Sequence, residues 1–144
     1  MNNSNKAIIT KEFRWEMGHR LPFHEGLCKN IHGHSYRMIV SLEGMLDESG
    51  FVIDYFDVKN IVQPLVDKLD HSFLCSSDDS MVLNFLEKNG LKHVVVEFNT
   101  TAENIALWFA EQIKQQFLNF KNIYSIEITV FETASASATR KILL

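Results

Sequence analysis

Apolar and polar residues alternate from Ala7 to His19, with Phe13, Trp15, Met17 and His19 in one phase. A two-residue period is that of a β-strand with one buried face, so a strand is predicted over 7–19. The stretch LPFHEGLCKN contains Pro22 and Gly26 and reads as a loop. Alternation then resumes from His32 to about Leu42. Tyr36, Met38, Val40 and Leu42 make its apolar face, and His32 and His34 fall in the same phase. MLDESG reads as a turn.

The period changes after that turn. Val58, Ile61, Val62, Leu65, Val66 and Leu69 recur at three-four spacing, which predicts an amphipathic helix over 57–69. Pro64 lies inside it and removes one backbone donor, so a kink or one lost hydrogen bond is expected. A short helix is predicted near 81–88, ended by the capping pair Asn89-Gly90. His93–Phe98 reads as a short strand. Thr100-x-x-Glu103 has the form of a capping box. It precedes a second long helical stripe of Ile105, Trp108, Phe109, Ile113 and Phe117. Tyr124, Ile126, Ile128 and Val130 alternate as a strand whose apolar face ends in a carboxylate, Glu132. Ala138–Leu144 completes the chain as a last strand. The order is ββααββ with short extra pieces, an α+β chain built on an antiparallel sheet.

Composition narrows the setting. The 144 residues suit one domain, 1–144, with a real core. A net charge of −4 with no basic tail argues against nucleic acid as a partner. No apolar run approaches the ~20 residues needed to span a bilayer, so no membrane partner is expected. The polar start, MNNSNK, does not read as a secretory leader. Two cysteines, Cys28 and Cys75, are too few for a disulfide framework, which points to a reducing cytoplasm.

The candidate chemistry gathers at CKNIHGH, residues 28–34. On a strand, residues i and i+2 point the same way, whereas on a helix they diverge. His32 and His34 therefore form a joint site only on a strand. If the first two strands pair as a hairpin, His19 arrives at the same end and on the same face. Three imidazoles with no fixed fourth ligand is the layout of a catalytic zinc site with an open position. Two other readings stand beside it. The histidines can simply close a core face, or Cys28 can be a fourth ligand in a closed structural site. Asp70-His71, at the end of the first long helix, reads either as a charged helix terminus or as an acid–base pair. His24, His93 and Cys75 have no comparable partners and read as ordinary residues.

With these residues in place, the chain resembles the 6-pyruvoyltetrahydropterin synthase / 6-carboxytetrahydropterin synthase family. FRWEMGHRLP is similar to the family's first strand with its zinc histidine, and CKNIHGHSY to its catalytic cysteine and remaining two ligands. DYFDVK and LDHSFL resemble the first helix and the Asp-His pair that follows it. NTTAENIA resembles the substrate-contacting turn, and VFETASASAT the strand with the pterin-anchoring glutamate. Two departures stand out. Thr100 occupies the usual proline position of that turn, and the segment from Cys75 to Glu97 is longer than in the shortest members.

The resemblance implies the tunnelling fold, a four-stranded antiparallel sheet with two helices on one side. It implies assembly into a barrel, a homohexamer, with active sites between subunits. It implies Zn2+ on His19, His32 and His34, catalysis by Cys28, Asp70 and His71, and pterin contacts from Glu132, Thr100 and Thr101. The implied substrate is 7,8-dihydroneopterin triphosphate. The gap of three residues between Cys28 and His32 resembles the carboxy-forming branch of queuosine and 7-deazaguanine biosynthesis. Pyruvoyl formation and a non-catalytic, zinc-stabilised pterin-binding module are the alternatives.

Overall fold

The computed structural model describes residues 3–144. Two long strands, β1 (Lys6–His19) and β2 (His32–Met45), form an antiparallel hairpin. Helix α1 (Tyr55–Leu69) follows, then a short strand β3 (Ser72–Ser76), helix α2 (Ser80–Lys88) and strand β4 (His93–Val96). Helix α3 (Ala102–Phe117) leads to a second antiparallel pair, β5 (Ile123–Thr133) and β6 (Ala136–Leu143). All six strands join one open sheet in the order β4-β3-β1-β2-β5-β6.

The two-residue period decides which side of the sheet is covered. Phe13, Trp15 and Met17 of β1 are buried, as are Tyr36, Met38, Val40 and Leu42 of β2 and Ile126, Ile128 and Val130 of β5. Against them lie Val58, Val62, Val66 and Leu69 of α1 and Ile105, Phe109, Ile113 and Phe117 of α3. The predicted helical stripes are thus the faces that the sheet covers. Trp15 and Tyr36 stand opposite each other across the hairpin and stack, with centroids 5.2 Å apart. The other side of β1 and β2 carries polar groups such as Glu12 and Arg37, paired at 2.9 Å.

Local signals account for most boundaries. Asp54 caps α1 by accepting from the Phe56 N–H at 2.7 Å, so the helix begins slightly before the predicted position. It continues through Pro64, which sits on its exposed side. Gly90 follows α2 with φ +61°, as the Asn89-Gly90 pair predicts. Two features differ from the expectation. The sheet is mixed, because β3 pairs in parallel with β1, and β4 in parallel with β3. Strand β3 has no alternation to betray it: four of its five residues are buried. Helix α3 is also capped one residue later than a Thr100–Glu103 box requires. Its cap is Thr101, whose hydroxyl accepts from the Asn104 N–H at 3.3 Å.

The hairpin end that bears the histidines is tight. Gly18 and Gly33 face each other across it. A Cβ on Gly33 would lie 2.9 Å from the Met17 carbonyl oxygen, a backbone atom that cannot swing aside. Gly33→Ala should therefore cost about 1–3 kcal/mol of stability. Chemical denaturation checks this through a lowered midpoint at unchanged slope, whereas an unchanged midpoint would mean that the two strands have room to separate.

Candidate metal centre

Register brings the three histidines together. His19 lies directly opposite His32, and His34 lies opposite Met17, one step along the same face. Ring centroids are 4.7 Å apart for His19–His32, 5.2 Å for His19–His34 and 5.0 Å for His32–His34. One nitrogen from each ring falls within 4.8 Å of the other two. Cys28 lies in a single helical turn, Leu27–Lys29, and its sulfur is not a member of that converging group.

Hydrogen bonding sets the tautomers of two rings. The Nδ1 of His19 is 2.8 Å from the Thr100 carbonyl oxygen, and that of His32 is 2.7 Å from the Asn30 carbonyl oxygen. A carbonyl only accepts, so Nδ1 carries the proton in both rings and Nε2 is left with its lone pair. The Nε2 atoms of His19, His32 and His34 are all buried, and none has a hydrogen-bond partner. Three buried ring nitrogens without partners at one point are costly in a metal-free protein. The cost disappears if they ligate a cation, with the carbonyls as the outer contacts that orient such ligands. Burial pushes His19 down to about 4 and also lowers His34, where the neighbouring His32 adds to the effect. Both rings are therefore neutral at pH 7, the form that binds metal. The residues fit a three-histidine metal site.

Glu132 faces this group. Its carboxylate oxygens lie 4.0 Å from His19 Nε2 and 3.9 Å from His34 Nε2. Burial raises its pKa, and Glu103, in the first turn of α3, adds repulsion. Tyr36 lies beside the triad, its ring edge-on to those of His19 and His34. Its hydroxyl is buried without a partner. The alternation assigns it only a place on the apolar face, although a tyrosine two residues after His34 is a signal that the apolar phase carries a polar tip.

Thr100 and Thr101 are both tied into the protein around the histidines. Thr100 is only 1 % exposed. Its carbonyl orients His19, and its hydroxyl donates to the Arg20 carbonyl oxygen at 3.3 Å. The Thr101 hydroxyl caps α3.

Asp70 and His71 are brought to each other but not to the triad. Asp70 Oδ1 accepts from the Glu16 N–H at 2.9 Å, and its Oδ2 lies 3.1 Å from His71 Nδ1. That backbone bond, with help from His71, holds the Asp70 carboxyl below its ordinary pKa. The His71 side chain is 78 % exposed. Together with Glu16, Gly18, Gly33, His34 and Ser35 it lines a cleft of about 610 Å³, whose other wall includes Phe73, Val82, Phe85 and Leu86. Glu16, Gly18, Gly33 and Ser35 occupy the strand phase opposite to that of the three histidines. His34 nevertheless borders the same cleft, so the Asp-His pair and the histidine group adjoin it from opposite strand phases.

Comparison with known proteins accords with this geometry. Residues 8–141 match the family described as 6-pyruvoyl tetrahydropterin synthase. The chain belongs to that family. A relative from Haemophilus influenzae, named 6-carboxy-5,6,7,8-tetrahydropterin synthase, is 39% identical over 114 residues, covering 74% of this chain and 81% of its own. One of the same name from Aquifex aeolicus is 32% identical, covering 94% of this chain and 98% of its own. The structure of 6-pyruvoyl tetrahydropterin synthase from Plasmodium falciparum has a TM-score of 0.77 at 19% identity, covering 97% of this chain and 99% of that one. At that identity the likeness is one of fold.

Membership of the 6-pyruvoyl tetrahydropterin synthase family gives weight to a strained residue. His71 has φ +56°, the left-handed region, just beyond the end of α1. Glycine is the usual occupant there, and a β-carbon costs roughly 1 kcal/mol. The turn is held by the His71 N–H donating to the Glu16 carbonyl oxygen at 2.7 Å. A histidine kept at a glycine position favours a task for the imidazole over helix-end decoration. His71→Gly should raise stability by up to about 1 kcal/mol. Thermal unfolding of the two proteins checks this, and a clearly less stable variant would mean that the imidazole is a structural support.

Proposed function

We propose that the protein is a zinc-dependent 6-carboxy-5,6,7,8-tetrahydropterin synthase. In this reading, 7,8-dihydroneopterin triphosphate and water yield 6-carboxy-5,6,7,8-tetrahydropterin, acetaldehyde and triphosphate, a step of 7-deazaguanine and queuosine biosynthesis. The observation that carries it is the set of three buried, unpartnered and converging Nε2 atoms on His19, His32 and His34. The shared name of the Haemophilus and Aquifex relatives favours the carboxy product over the pyruvoyl one.

Each residue then has a distinct task. His19, His32 and His34 would hold the zinc. A zinc ion bound there supplies Lewis acidity, which stabilises negative charge developing on the side-chain oxygens of the substrate. Cys28 removes a proton from a side-chain carbon as its thiolate. Asp70 orients His71 and favours its protonated form, so that the imidazole can deliver or accept the second proton. Glu132 accepts hydrogen bonds from the pterin N3–H and 2-amino group.

The placement of these groups supports an assembly. The cleft beside the Asp-His pair is lined mainly by the strand phase opposite to that of the three histidines, which favours a site completed by a second copy. The sheet is open, with β4 and β6 as edges, and closing a ring of copies would cover such edges. A homohexamer with sites between subunits accords with both. Two free cysteines accord with a cytoplasmic setting. Among the described residues no helix is long and apolar enough to cross a membrane.

The test is to incubate zinc-loaded protein with 7,8-dihydroneopterin triphosphate and identify the products by mass. Acetaldehyde and the carboxypterin are expected. The pyruvoylpterin would move the protein to the other branch, and bound but unchanged substrate would make it a binding module. Cys28→Ala should retain zinc while kcat falls by ~10²–10⁴, the range of a lost acid–base group. Loss of zinc in that variant would instead make Cys28 a ligand.

A further inference from the structure

We propose that Arg20 and Asp79 are positioning residues, and that their ion pair ties the segment bearing Cys28 to the start of α2. The proposal rests on the reading of Cys28 as the catalytic base. Arg20 follows the ligand His19 directly. Its Nε donates to Asp79 Oδ2 at 2.6 Å and its Nη2 to Asp79 Oδ1 at 2.8 Å, a two-pronged contact across 59 residues of chain. The side chains are only 18 % and 5 % exposed. Such a pair, short, planar and shielded from water, defines an orientation as well as a charge balance.

The guanidinium has a third contact, and it determines what the pair positions. Its Nη1 donates to the Lys29 carbonyl oxygen at 3.2 Å, one residue beyond Cys28. On the other side of the same residue, the Leu21 N–H donates to the Cys28 carbonyl oxygen at 2.8 Å. The Arg20 carbonyl oxygen accepts from Thr100, the residue that orients His19. The peptide units around Cys28 are thus fastened to Arg20 and Leu21. Asp79 fastens Arg20 to α2, and Thr100 fastens it to the metal ligand. The long segment between Cys75 and Glu97 acquires a role here, because it supplies the carboxylate that holds the fork still. Arg20 in turn holds the Asp79 carboxyl below its ordinary pKa, so the pair stays charged.

The experiment compares wild type with Arg20→Lys as zinc-loaded full chains. Lysine retains the charge but loses the fork and the reach to Lys29. The alkylation rate of Cys28 by iodoacetamide is read site by site by mass spectrometry, because Cys75 is a second thiol. Zinc content, thermal midpoint, kcat and KM are measured on the same samples. The proposal expects at least a fivefold change in the Cys28 rate and at least a tenfold fall in kcat, with KM within about twofold and zinc content unchanged. Asp79→Glu, which keeps the pair and shifts it by one methylene, should lie between the two. It also replaces Arg20→Lys if that variant does not fold. A folded variant with the wild-type alkylation rate overturns the proposal and leaves the pair a purely stabilising contact. Wild type without turnover would refute the enzymatic reading, and the alkylation rates would still decide whether the pair positions the thiol.

Discussion

The site depends on one register. His19 pairs with His32 across the β1–β2 hairpin, and every other ligand position follows from that alignment. A slip of one residue would send one strand's imidazoles to the opposite side of the sheet. The alignment is protected from both directions. Phe13, Trp15, Met17, Tyr36, Met38 and Val40 commit one side of the hairpin to the core. At the histidine end, Gly33 allows the strands to approach where a Cβ would strike backbone. Hydrophobic burial therefore sets the geometry, and the histidines occupy the end of an apolar face already determined by it.

That position explains their electrostatics. An imidazole at the end of a buried face loses hydration, so it is neutral, and a neutral imidazole needs a partner for its lone pair. Carbonyls of Thr100 and Asn30 take the Nδ1 protons of His19 and His32, which leaves the lone pairs of these two rings aimed together with that of His34. Thr100 precedes α3 and Asn30 precedes β2, so the second long helix and the cysteine loop both help to orient ligands that the hairpin supplies. The turn of Asp70 and His71 is organised independently, by two bonds to the backbone of Glu16. The histidine group and the Asp-His pair are each held by backbone contacts of their own, and His34 and His71 border a common cleft.

Much of this was legible in the residues. Strand alternation located β1, β2 and β5, and three-four spacing located α1 and α3, because each buries one face against the same core. The same alternation put His19, His32, His34 and Glu132 in the core-facing phase. What was not legible depended on tertiary placement. Strand β3 is buried throughout most of its length, so it has no period to read. Thr100 has the right type and spacing for a cap, but its carbonyl and hydroxyl are used by His19 and Arg20, and Thr101 caps the helix in its place. The Arg20–Asp79 pair joins residues 59 apart, and nothing local to either predicts it. The left-handed backbone of His71 is likewise visible only in the folded chain.

The account turns on a metal held by three imidazoles, with the thiol of Cys28 left free for chemistry. X-ray absorption at the zinc edge of the zinc-loaded protein tests this most directly. The account predicts a nitrogen and oxygen shell at ~2.0–2.1 Å with the outer-shell scattering of three imidazoles, and no sulfur shell. A sulfur shell at ~2.3 Å would contradict it, because Cys28 would then be a ligand and the site closed.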